Sequence, residues 1–227
     1  MKSPQQPRVE RLKEVWTPDA KLHIPHNDGE VVFAYPSFGP DTYQGVGRQI
    51  LGHNLALANG GQTASLLYST YCSDVKDEPE FKGIKDIVRE KWVPVYMNVA
   101  WTDKGVFTQY DPEAKGLTEK LDINDLEKSL EGGTEYSQGI RFSDDGTVGF
   151  APKDSYQLRY NTPEQLAQNG VVIAISGFEG AEKLAEISKE FPNKPCVHGS
   201  VLKEREYSRE RVSALRALNV YGNSLGG

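Results

Sequence analysis

Residues 95–112 read VYMNVAWTDKGVFTQYDP. Val95 to Trp101 suits a strand, Thr102-Asp103-Lys104-Gly105 a hairpin turn, and Val106 to Tyr110 the returning strand. An antiparallel hairpin excludes an all-helical chain and a purely parallel sheet. Further along, FSDDGTVGFAP at 142–152 repeats the order of strand, Asp-x-Gly turn, strand and closing proline. A polar loop and a short capped helix follow each hairpin. The first helix starts near Asp122 and carries Ile123, Leu126 and Leu130. The second starts at Thr162, with Pro163 at its first position and Gln165 completing a capping box, and ends at Asn169-Gly170. Turn glycine to helix leucine spans 21 residues in one unit (Gly105 to Leu126) and 20 in the other (Gly146 to Leu166). The pattern admits an internal ββα duplication over about 95–135 and 136–175. Chance recurrence of two common motifs is the competing reading, because the two units share few identities.

On the N-terminal side, residues 1–29 read as an arm, with a short helix near Val9 to Trp16 and Trp16 docking it on the body. Glu30 to Tyr35 suits a buried strand. Pro36 to Gly45 is a loop, and a helix runs from Val46 to Ala58 with Val46, Ile50, Leu51 and Leu55 on one face. Asn59-Gly60-Gly61 terminates it, and a second helix covers about Gln62 to Cys72. Glu80 opens a third, with Phe81, Ile84, Ile87, Val88 and Trp92 at helical spacing before Pro94. On the C-terminal side, Val171 to Ile175 reads as a buried strand that turns through Ser176–Gly180 into a helix over Ala181–Glu190. Cys196 to Leu202 reads as a strand, and Ser208 to Leu218 as a helix. The expected class is α+β, a mixed sheet with β-hairpins and several short helices. One globular domain spans 30–220, with a frayed tail at 221–227.

Composition narrows the function classes. The 227 residues are 37% apolar and 26% charged, as in ordinary globular proteins. The longest apolar runs are the five residues at 31–35 and at 171–175, whereas a membrane span needs about 20. No signal-peptide core is visible near the N-terminus, so a cytoplasmic protein with no membrane association is expected. Cys72 and Cys196 fit no metal motif and read as reduced, buried thiols. The net charge is −6, and basic residues are interleaved with acidic ones, which argues against a broad nucleic-acid surface.

Two loops could carry chemistry. Pro36–Arg48 joins a strand to a helix N-terminus, a common place for ligands. Thr42 and Gly45 would present hydroxyl and backbone N–H groups there, and Arg48 would clamp an anion. Asp41 and Tyr43 would orient or exchange protons. His53 is a further candidate base, although it lies about 140° round the helix from Arg48. Capping by Asp41 or Thr42 is the structural alternative. The loop lacks the Lys-Ser/Thr of a phosphate-binding loop. Ser176 and Gly177 form the second candidate, where Glu179 disfavours phosphate. The histidines at 23, 26, 53 and 198 show no spacing that demands a metal, and no cofactor is indicated. Two functions remain: a domain that binds a small polar or phosphorylated ligand at 36–48, as a binding protein or an enzyme, and a non-catalytic protein-interaction module that uses hairpin edges and the C-terminal helix.

Overall fold

The computed structural model describes residues 5–12, 19–90, 95–116, 121–191, 195–197 and 211–214. The fold is α+β, and every described strand pair is antiparallel. The first sheet has the order β1 (Arg8–Arg11), β2 (Ala20–His26), β3 (Gly29–Tyr35). The segment expected to be an irregular arm therefore contains two strands. Ala20, Leu22 and Ile24 are buried at alternate positions of β2, and Leu22 and Ile24 pack with Phe81 and Ile84 of helix α3 (Pro79–Glu90). Pro25 and the Asn27-Asp28 turn hid that alternation, because they read as loop residues while they close the β2–β3 hairpin. β3 was expected to be buried, but it lies at the sheet edge, with Val32 48% exposed.

The outer face of this sheet holds His23 between two carboxylates. Its Nε2 lies 3.0 Å from Glu10 Oε2 and its Nδ1 2.7 Å from Glu30 Oε1. Hydrogen bonds to Glu30 and then Glu10 raise its pKa, and the bond to His23 holds both glutamates below the usual carboxylate range. Arg8 and Lys21 are the neighbouring cations. The stability His23 contributes is present in full below its unfolded value of about 6.5 and is lost as pH rises through the raised folded value. Urea midpoints of the wild-type chain should therefore fall as pH rises above about 6.5, and in Glu30→Gln this fall should flatten. Parallel profiles for the two proteins would contradict the arrangement.

Helices α1 (Tyr43–Gly52) and α2 (Gly60–Cys72) follow. α1 starts three residues before its expected position and stops six short of Ala58. Thr42 supplies its N-cap, and nothing caps a longer helix because Asn59 caps the next one. Asn59 and Gln62 form a reciprocal capping box, so Asn59-Gly60-Gly61 begins α2 rather than ending α1.

The second sheet has the order β11-β4-β5-β8-β7-β6. Its strands are β4 (Met97–Trp101), β5 (Gly105–Tyr110), β6 (Thr134–Glu135), β7 (Arg141–Phe142), β8 (Val148–Pro152) and β11 (Arg211–Ala214). Both expected hairpins form, and they join through β5 and β8, with Phe107 opposite Phe150. A short pair, β9 (Arg159–Tyr160) with β10 (Cys196–Val197), stands apart. Helices α4 (Ile123–Ser129) and α5 (Pro163–Ala167) keep their expected caps at Asp122 and Thr162. Their packing does not repeat, however. Leu126 and Leu130 cover the Phe107 face of the sheet, whereas Leu166 packs on α2 and the last helix, α6 (Gly170–Ser188). The structure lends the duplication no support.

α6 overturns the reading of Val171–Ile175 as a strand. Val171, Ala174 and Ile175 face the sheet with Val99, Val106 and Ala151. Val172 and Ile173 face α2 and α5. A helix buried on both sides needs apolar residues all round, so its 3.6-residue period leaves no trace in the sequence. Arg211–Ala214 pairs with β4 as a strand, in place of the helix expected across that stretch. Trp16, the expected helix beyond Glu90, the strand beyond Val197, His198 and the tail at 221–227 lie outside the described residues. Among the described residues, no helix is long and apolar enough to cross a membrane.

Candidate functional site

The residues expected to bind a ligand at the first loop find partners within the fold. Thr42 Oγ1 accepts the Gly45 N–H at 3.1 Å. Asp41 accepts the Thr42 N–H at 2.6 Å and the Gln49 side chain at 3.1 Å. Its carboxylate lies against Gly45, over the first turn of α1, where a bound anion would have to sit. Tyr43 turns inward and donates to Asp111 Oδ2 at 2.9 Å. Burial first, and then that bond, push its pKa well up. Asp111 also accepts the N–H groups of Lys115 and Gly116, so this pair ties α1 to the loop after β5. Arg48 is exposed on α1. His53 is exposed at the C-terminal end of the helix, with its ring 5.2 Å from that of Phe38. Asp41, Thr42 and Gly45 thus come together as a cap, and Arg48 and His53 do not join them.

Ser176 and Gly177 lie in a cleft, at a helix break rather than a βα turn. Gly177 adopts φ 71° and ψ 172° inside α6, a conformation open essentially to glycine alone. The break splits α6 into two helical halves, so carbonyls of the first and N–H groups of the second lack in-helix partners. Ser176 Oγ donates to Val172 O at 2.7 Å, which closes the first half. The cleft beside the break has a volume of about 460 Å³. Tyr136, Phe142 and Phe178 form an aromatic wall: Tyr136 is 4.9 Å from Phe178 and 5.9 Å from Phe142 between ring centroids. His26, Asn59 and Glu179 bring polar groups to the same space.

His26 is held by a network that joins three elements. Its Nδ1 is 2.9 Å from Ser65 Oγ of α2, and Lys183 Nζ of α6 donates to that oxygen, also at 2.9 Å. Ser65 is 1% exposed and donates to the Gly61 carbonyl at 3.1 Å. The Lys183 ammonium can only donate, and Ser65 has a single hydrogen. With that hydrogen on Gly61 O, His26 donates from Nδ1–H to Ser65 and keeps its lone pair on Nε2. Asn27 Nδ2 then donates to Nε2 at 3.3 Å. This tautomer, assigned from the network, satisfies every group. Burial and then the Lys183 charge lower the His26 pKa, so the ring is neutral at pH 7. Glu179 pairs with Lys183. The arrangement places a neutral imidazole in the cleft, with its Nε2 lone pair turned to Asn27.

Ser65 and Cys72 are sequestered. Ser65 spends its hydroxyl inside the network. Burial, followed by the charges of Glu190 and Glu186, pushes the Cys72 thiol up to about 11, which leaves it unreactive. Both ring nitrogens of His23 are engaged, Nε2 by Glu10 and Nδ1 by Glu30 and Arg8. No family model matches the chain, and no curated protein or solved structure is significantly similar to it.

Sequence reasoning names Ser176, Gly177 and His26 without joining them. It missed Tyr136 and Lys183. The available signal was His26 directly before the Asn27-Asp28-Gly29 turn, where a side chain at a hairpin end can reach a neighbouring element.

Proposed function

We propose that this chain binds a small, uncharged polar ring, such as a sugar or a nucleobase moiety, in the cleft at the break of α6. The aromatic rings that line the same cleft as His26 and Asn59 carry this reading: an apolar ligand face would stack on the rings while ring hydroxyl or amide groups would meet the polar side chains. Asp144, Asp145 and Glu179 line the same cleft, and three carboxylates weigh against the phosphorylated ligand first considered. A ligand hydroxyl or N–H would displace Asn27 from His26 Nε2 and donate to it, or pass it a proton in a catalytic version of the site.

A thermal-shift panel of monosaccharides and nucleosides tests the reading. A ligand at about 100 times its Kd adds about 2.7 kcal/mol, which at this size is a rise of roughly 5–10 °C. Tyr136 is 44% exposed and meets the rings of Phe142 and Phe178, so Tyr136→Ala should lower the ligand-free melting temperature by a few degrees and abolish the rise. No shift across the panel, or an equal shift in Tyr136→Ala, would reject the proposal.

A further inference from the structure

Strand β3 forms one edge of the first sheet, and among the described residues it pairs with β2 alone. Pro25 stands opposite Glu30 and has no N–H to exchange with it. The hydrogen-bonded pairs of this hairpin are therefore His26–Gly29, Ile24–Val31, Leu22–Phe33 and Ala20–Tyr35. Glu30, Val32 and Ala34 turn their N–H and C=O groups away from β2, and among the described residues no backbone group takes them up. An open edge normally carries a device that turns other strands away, such as a lysine, a proline or a bulge. β3 reads GEVVFAY, with neither lysine nor proline, and its register with β2 runs unbroken. Its charged residue, Glu30, is turned to His23, 2.7 Å away. Val32 is exposed on the outer face, and Val31 and Phe33 are only half-buried against the α3 cluster on the inner one.

We propose that β3 pairs antiparallel with β3 of a second copy of this chain, across a two-fold axis at Val32. Val32 is the middle residue of the strand, so this register pairs all three outward-facing residues. Val32 meets the partner's Val32, and Glu30 meets the partner's Ala34 in both directions. Each pair exchanges two hydrogen bonds, about six in all. On the inner face Val31 meets the partner's Phe33, which carries the apolar layer beneath the sheet across the axis. On the outer face Lys21 lies next to Ala34 in the same row of side chains. The small Ala34 lets the partner's Lys21 reach over it towards Glu30, so opposite charges approach across the axis. The two Glu30 carboxylates stay about 14 Å apart. The edge is thus complementary to itself in shape and charge, which selects a second copy as its occupant. Two three-stranded sheets become one of six, in the order β1-β2-β3-β3-β2-β1. β3 supplies no lining residue to the cleft at α6, so this proposal stands or falls independently of the proposed function.

With one hydrogen bond per 100–200 Å², such an interface buries about 600–1,200 Å². That is below the standard size, and a dissociation constant on the order of 10–100 μM is expected. Sedimentation equilibrium of the full chain from about 5 to 500 μM should therefore show a monomer–dimer equilibrium. Val32→Pro removes an N–H that faces the partner and leaves the pairing with β2 intact. It should be monomeric across that range and melt within a few degrees of the wild type. Val32→Lys, at an exposed position, sets two ammonium groups against each other at the axis and should weaken the dimer about tenfold or more. This second variant decides the matter if Val32→Pro fails to fold. Tyr160→Lys, at an exposed apolar position on β9, should leave the dimer unchanged. A wild-type chain that stays monomeric across the range would overturn the proposal and leave the edge to a strand of a different protein. So would a dimer that survives Val32→Lys, or one that Tyr160→Lys weakens equally.

Discussion

Phe107→Ala should lower the stability of this protein by about 3–5 kcal/mol, a drop in melting temperature of roughly 6–20 °C. Phe107 is fully buried at the centre of the second sheet. Its ring lies 4.6 Å from that of Phe150 on the neighbouring strand. Together they meet Leu126 and Leu130, the residues through which α4 covers this face. Truncation removes the transfer free energy of the ring and leaves a cavity beneath α4 that β5, pinned between β4 and β8, cannot close. Phe107→Leu keeps most of the volume and should cost under about 2 kcal/mol. Urea unfolding of both variants separates the cases. A loss below about 1 kcal/mol in Phe107→Ala would mean that α4 does not pack on this face.

Gly60→Ala is the second large effect, and its sign is the test. Alanine in a helix normally gains up to about 1 kcal/mol over glycine. Here a Cβ would stand 2.9 Å from the carbonyl carbon of Ile175 and would collide with its oxygen. Both sides of that collision are helix backbone, and neither can rotate away. The expected loss is about 3 kcal/mol, or a fall of roughly 6–12 °C, because α2 must separate from α6 beside the Gly177 break. Gly52→Ala, in α1 with nothing within 4 Å of its would-be Cβ, should instead raise stability by about 0.4–1 kcal/mol. Equal shifts for the two substitutions in a melting experiment would refute the close crossing of α2 and α6.

Several elements could be read directly from the sequence because the forces that form them act within a few residues. The hairpin turns at Thr102–Gly105 and Asp144–Gly146 follow from local turn chemistry. Ser143 and Thr147 both bond Asp145, which keeps the second turn closed. The caps of α4 and α5 at Asp122 and Thr162 are satisfied within three residues of themselves. The helical face of α3 could be read because Phe81, Ile84 and Val88 are apolar on one side only.

The candidate sites were less visible. A cap and an anion-binding helix start use the same residue types, so Asp41, Thr42 and Gly45 could not announce which they were until Asp41 was seen over the first turn. The His26 network closes over 39 positions to Ser65 and a further 118 to Lys183, and no local pattern encodes such a meeting.

The sequence by itself determined the α+β class, the two antiparallel hairpins and the capped short helices, since turn geometry and capping are settled by neighbours along the chain. Only the tertiary structure decided that Val171–Ile175 is a helix, that Ala20–His26 is a strand, and that Ser176 and Gly177 share a cleft with His26. Those outcomes depend on what covers each face, and burial is a property of the assembled layers, not of any short stretch of residues.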